Sequence, residues 1–248
     1  MLEELYKKAN EIENVTKSPR LIKLHEEGKY CPISLGTFYQ ETTKYMFVSL
    51  NPGYEEPETA QMTPQEAVAK SKSLKEYLSV YKFSYAQKLN KIIKSFANEK
   101  GITVDETILL FGTTDCSFFH SKTAYELEES FYIEVKECLP VLLAELSIRN
   151  LDTIIFSGVP QLYFFYNLYK PGSSIIKYGV NSPVGKHDKL IACNTTLIND
   201  RTYDVCFMPH LSGTWGWKDA ELDSIGQQLA KGFIQQSNLV LDNSNVII

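Results

Sequence analysis

Hydrophobic positions in this chain fall into short unbroken runs separated by stretches with helical spacing. Residues 45–50 (Tyr-Met-Phe-Val-Ser-Leu) form one such run, which ends in Asn51-Pro52-Gly53. Thr107-Ile108-Leu109-Leu110-Phe111 reads as a second strand that ends at Gly112-Thr113-Thr114-Asp115, and Thr153-Ile154-Ile155-Phe156-Ser157-Gly158 as a third. Lys189–Thr196 and Tyr203–Met208 flank a turn at Asn199-Asp200-Arg201. Between them, Leu89, Ile92, Ile93 and Phe96 recur at helical spacing, which predicts a core-facing helix over 84–99. Further helices are expected over roughly 123–148, bent at Pro140, over 219–236, and as a short aromatic helix after the third strand. Residues 1 to about 30 read as one or two amphipathic helices, 51–63 as a loop, Thr63-Pro64-Gln65-Glu66 as a helix start, and 238–248 as a loosely held tail.

Strands that are apolar throughout, alternating with helices, indicate a parallel sheet covered on both faces. The expected fold class is therefore α/β, a three-layer α/β/α sandwich around a short, mainly parallel sheet. With 248 residues and 44% hydrophobic composition, the chain can bury a sizeable core, and one domain over 1–248 is the simplest reading.

Composition narrows the function classes. Twenty-five basic and 30 acidic side chains give a net charge of −5, which argues against a nonspecific polycation but leaves room for a local basic groove. No apolar run reaches the roughly 18 residues that a membrane span needs. No basic segment followed by an apolar core marks a secretory leader at Met1–Leu5. The five cysteines are scattered, and four lie in apolar or strand-like contexts, where reduced cysteine behaves as a small hydrophobe. A cytoplasmic protein with no membrane partner is expected.

Several common sites are missing from the chain. It has no Gly-x-Gly-x-x-Gly, no Gly-x-x-x-x-Gly-Lys-Ser/Thr and no Gly-x-Ser-x-Gly. No two histidines pair at i, i+4 and no Cys-x-x-Cys occurs, so neither metal nor organic cofactor is expected. Three polar clusters remain at the ends of apolar strands: Asn51-Pro52-Gly53, Thr114-Asp115 and His210-Leu211-Ser212. Each has a structural explanation of its own, as a turn, a cap or a core histidine. Together they are more telling, because chemistry in open α/β sheets collects at the C-terminal ends of parallel strands.

On these residues the chain resembles the uracil-DNA glycosylase superfamily over about 44–235, leaving 1–43 as a helical extension. Ser49-Leu50-Asn51-Pro52-Gly53 is similar to the Gly-x-Asn-Pro-Gly motif of the mismatch-specific and single-strand-selective branches, with serine where glycine is usual. His210-Leu211-Ser212 is similar to the His-Pro-Ser motif, with leucine in place of proline. Thr113-Thr114-Asp115 resembles the second-strand segment, commonly Thr-Asn, whose asparagine reads the base edge. The resemblance implies a monofunctional DNA glycosylase, a hydrolase acting alone on an extruded base of single- or double-stranded DNA. A monomer is expected.

The chemistry suits these residue types. Cleaving an N-glycosidic bond places positive charge on the sugar and negative charge on the departing base. The Asn51 amide would orient water, and His210 would donate to the leaving base. Tyr54 or Phe118 would stack on the base, with Gly53 and Thr114 beside it. Ser212, Gly213, Trp215 and Lys186 are candidates for DNA contact, although the tryptophans at 215 and 217 equally suit packing under the last helix. Asp115 departs most from the family. An ionised aspartate only accepts hydrogen bonds, so it would repel the O4 of uracil and favour an exocyclic amine, as on cytosine N4. The expected substrate is then a damaged or modified base, either a modified cytosine or another amino-bearing base, or a uracil-like one if Asp115 does not read it. A hypermodified cytosine from phage DNA would make the enzyme defensive and not a repair factor. The competing reading leaves base recognition to Thr114 or to backbone. Alternatives for the whole chain are a weakly active or inactive modified-base reader on the same fold, and a protein-interaction module or nucleoside hydrolase.

Overall fold

The computed structural model describes residues 4–5, 7–9, 11, 19–27, 30, 42–50, 73–80, 84–119, 131–158, 176–180, 190–196, 200–211 and 216–232. In chain order these hold α1 (Pro19–Glu26), β1 (Tyr45–Ser49), α2 (Leu74–Val80), α3 (Ser84–Lys100), α4 (Val104–Ile108) and β2 (Phe111–Asp115). Then come α5 (Phe131–Ile148), β3 (Thr153–Ser157), β4 (Ile176–Val180), β5 (Leu190–Thr196), β6 (Thr202–Met208) and α6 (Asp219–Lys231).

The six strands form one sheet in the order β2-β1-β3-β6-β5-β4. The first four run parallel, and β5 and β4 continue the sheet antiparallel. Side chains alternate across the sheet with period two, and both faces are apolar. Phe47, Phe111, Ile155, Cys206 and Met208 meet Leu89, Ile92, Ile93 and Phe96 of α3 and Leu222, Ile225 and Leu229 of α6. On the opposite face Met46, Val48, Ile154, Phe156, Val205 and Phe207 meet Leu142 and Leu146 of α5. These are the three layers that the apolar strands implied, since a strand buried on both faces needs helices on both sides.

Two glycines permit close approach. Gly226 in α6 lies against the backbone of α3, where an added Cβ would come within 2.4 Å of the Ile92 carbonyl oxygen. Met46 covers Gly112 of β2, where a Cβ would meet its methyl at 3.1 Å. A capping box just ahead of β2 fixes where that strand begins. Thr103 accepts from the Glu106 amide, and the Glu106 carboxylate accepts in return from the Thr103 amide. That box starts helix α4, so 104–108 is helical and the strand begins at Phe111. The expected strand over 107–111 is thus displaced by four residues, because a local cap outcompeted β propensity.

Other boundaries shift for equally local reasons. Helix α6 stops at Lys231 and not at 236, because Gly232 adopts φ +75° at its C-cap. Asp200 takes the left-handed φ of 64° in the turn between β5 and β6. Pro140 sits on the exposed side of α5, inside a helix that continues past it to Ile148. Strand β4 carried no sequence expectation. At the N-terminal end, the Tyr30 hydroxyl donates to the Ala9 carbonyl, and its ring lies 5.0 Å from that of Phe119. The expected loop 51–63, helix start at 63–66, beginning of the long helix before 131, aromatic helix after 158 and tail 238–248 lie outside the described residues.

Candidate active site at the strand ends

The four parallel strands end along one edge, and three of them finish on polar side chains. Ser49 of β1 and Asp115 of β2 are registered partners. One step beyond the Val48–Phe156 pair, Ser157 of β3 follows in the same row, itself paired with Met208 of β6. By alternation these side chains share the face of Phe47, Phe111 and Ile155, beneath α3 and α6. Ser49, Asp115 and Ser157 are all buried. Buried polar groups are retained where they have partners or a task, and here they border the loop that carries His210.

That loop is held from several directions. The Gly158 amide donates to the Met208 carbonyl at 2.7 Å. The Leu211 amide donates to the Ser157 hydroxyl at 3.3 Å. The Lys88 ammonium donates to the Leu211 carbonyl at 2.5 Å, and the Trp217 indole to the His210 carbonyl at 3.3 Å. Lys88 lies one turn from Tyr85 on α3, and the Tyr85 ring sits 5.6 Å from the His210 imidazole, tilted by 35°. The Ser49 hydroxyl donates to the Tyr85 hydroxyl at 3.1 Å.

Burial, and secondarily the Lys88 charge, push the His210 pKa down to about 4. The imidazole is therefore neutral at pH 7 and able both to donate and to accept. Partial burial also lowers the Lys88 pKa from its ordinary value.

The candidates separate on this geometry. His210 and Asp115 reach the same edge, linked through Ser49 and Tyr85. Thr114 faces the other way. Its hydroxyl donates to Glu145 at 2.6 Å, and Glu145 pairs with Arg149 at 2.7 Å in a fully buried network against α5. Phe118 is wholly enclosed in the interior, with no exposed ring surface. Trp217 packs against the core between β6 and α6, as the packing alternative for the tryptophans implied. Asn51, Gly53, Tyr54, Lys186, Ser212, Gly213 and Trp215 lie outside the described residues.

Sequence reasoning missed Tyr85, Lys88, Ser157 and Gly158. Tyr85 and Lys88 occupy the first two turns of a helix whose apolar stripe had been read for the core alone. Gly158 was visible as a glycine after an apolar strand, a place where backbone approach is common. Among the described residues, no group of three His, Cys, Asp or Glu side chains is placed to hold a metal, and no helix is long and apolar enough to cross a membrane. No protein-family model matches this chain, and no curated protein matches it.

Proposed function

We propose that the protein is a DNA glycosylase, in the manner of the uracil-DNA glycosylase superfamily, which hydrolyses the N-glycosidic bond of an extruded base. The observation that carries this reading is His210 held just beyond the end of β6, on the edge where Asp115 and Ser49, two residues ahead of Asn51-Pro52-Gly53, also lie; burial lowers its pKa and favours the neutral imidazole. Water held by the Asn51 amide would attack the anomeric carbon as the bond to the base nitrogen breaks. The bonding pair leaves with the base, whose negative charge takes a hydrogen bond from the His210 N–H; the water that adds to the sugar gives up a proton to solvent, and solvent protonates the released base. A neutral imidazole donates without a change in its own charge, and one preorganised donor of this kind is worth about 3–4 kcal/mol in the transition state.

Asp115 supports an amine-bearing base as substrate, since an ionised carboxylate at this sheet edge would accept from an exocyclic N–H and repel a carbonyl oxygen. A modified cytosine meets that requirement. DNA is the proposed partner, and the cytoplasm the proposed compartment.

Base release from single- and double-stranded oligonucleotides bearing uracil, hypoxanthine or modified cytosines tests the reading. Release from an amine-bearing base that is lost in both Asn51→Ala and His210→Ala is expected. Vigorous uracil excision that Asp115→Ala abolishes would remove the cytosine assignment. Tight binding of the modified strand with no release at all would favour the modified-base reader.

A further inference from the structure

The two strands that carry the proposed chemistry are not neighbours. β3 lies between β1 and β6, so their ends stand two strand spacings apart, roughly 10 Å. The paired registers end at Val48–Phe156 on one side of β3 and at Ser157–Met208 on the other. Tyr85 reaches across that gap. Its hydroxyl takes a hydrogen bond from Ser49 at the end of β1, and its ring packs on His210 beyond the end of β6. Gly158, at the end of β3, lies against the same side chain, where an added Cβ would stand 3.1 Å from the imidazole Cδ2.

Backbone and ring of His210 are held by different residues. Ser157, Lys88 and Trp217 hydrogen-bond the main chain of 210–211. Gly158 and Tyr85 bound the side chain. Tyr85 itself rides on the first turn of α3, a helix locked to α6 by the close Gly226 crossing. A ring carried on a rigid element transmits its position well.

We propose that Tyr85 is a positioning residue that sets the orientation of the His210 imidazole relative to the end of β1, with Ser49 fixing the phenol in turn. Its catalytic consequence rests on the glycosylase reading, whereas the positioning does not. Removing the Tyr85 ring takes away one wall of the imidazole and widens its excursion about a broad terminal torsion, while the backbone stays pinned. Losing only the hydroxyl loosens the phenol and shifts the imidazole less.

The test uses the full-length protein and the variants Tyr85→Leu, Tyr85→Phe and Ser49→Ala. Ring-nitrogen chemical shifts of His210, recorded without DNA, report its tautomer and order. Single-turnover base release and DNA binding report the consequence. Tyr85→Leu is expected to mix the His210 tautomers and to slow release by roughly tenfold to a hundredfold with unchanged DNA binding. Tyr85→Phe and Ser49→Ala are expected to shift the same resonances and slow release about threefold. Wild-type resonances and release rates in Tyr85→Leu would overturn the proposal. Should that variant not fold, Tyr85→Phe decides on the same two readouts, and no change in either overturns it. A wild-type protein that releases no base, with His210 resonances that still respond to Tyr85→Leu, ends the glycosylase reading and leaves the positioning role in place.

Discussion

Gly158 and His210 are packed so closely that a Cβ on the glycine would stand 2.7 Å from the Cβ of the histidine. Gly158 also adopts φ +79°, a conformation that side chains rarely tolerate. The end of β3 is thus shaped around the residue that follows β6. Steric contact and backbone geometry select glycine independently at this position.

Replacing Gly158 with alanine therefore forces His210 aside. The variant is expected to lose about 1–3 kcal/mol of stability, from overpacking and the left-handed backbone. If the protein is the glycosylase proposed above, base release should fall further than the loss of folded protein accounts for. Urea unfolding alongside release from folded protein separates the two effects.

The His210 pKa of about 4 has a consequence for acid stability. In the unfolded chain the imidazole titrates near its ordinary 6.5, so below that pH the unfolded state takes up a proton that the folded state refuses. The contribution from neutral His210 is complete above about pH 6.5, declines as pH falls toward 4 and levels off below. His210→Gln should flatten the stability profile in that window relative to wild type. Lys88→Met removes a charge that disfavours the imidazolium, and should raise the His210 midpoint in an NMR titration.

Thr114 offers a clean separation of fold from site. Its hydroxyl is committed to Glu145, so Thr114→Val should cost about 1–2 kcal/mol and leave the identity of the released base unchanged. Glu145→Gln strips the charge partner from buried Arg149 and should cost more, about 3–5 kcal/mol. A changed base preference in Thr114→Val would return base recognition to that residue.

The α3–α6 crossing is a third point of tight packing. At Gly226 the obstacle is backbone, with the Ile92 carbonyl oxygen 2.4 Å from the added Cβ, so no side chain can turn away. Gly226→Ala should spread the two helices and destabilise the protein by about 1–3 kcal/mol or more. Because α3 carries Tyr85 and Lys88, base release should drop with it, read by thermal unfolding and single-turnover assay together.

Much of the scaffold was legible along the chain. The runs at 45–50, 153–158 and 203–208 became β1, β3 and β6, because strands buried on both faces must be apolar at nearly every position. Helix α3 followed from the spacing of Leu89, Ile92, Ile93 and Phe96 for a similar reason. Strand β2 was misplaced because its sequence, Phe-Gly-Thr-Thr-Asp, is mostly polar. Its polar residues make sense only in the tertiary structure, where Thr114 donates to Glu145 of α5 and Asp115 pairs in register with Ser49 at the site edge.

By itself, then, the order of residues determined that β1, β3, β6 and α3 form where they do and that His210 and Asp115 each follow an apolar run, since hydrophobic periodicity is a local property. Only tertiary structure decided that Tyr85 and Lys88 meet His210, that Gly158 lies beneath it and that Thr114 turns away. Those contacts join residues from about 30 to more than 120 positions apart. They depend on strand order and helix crossing, which no short window of sequence contains.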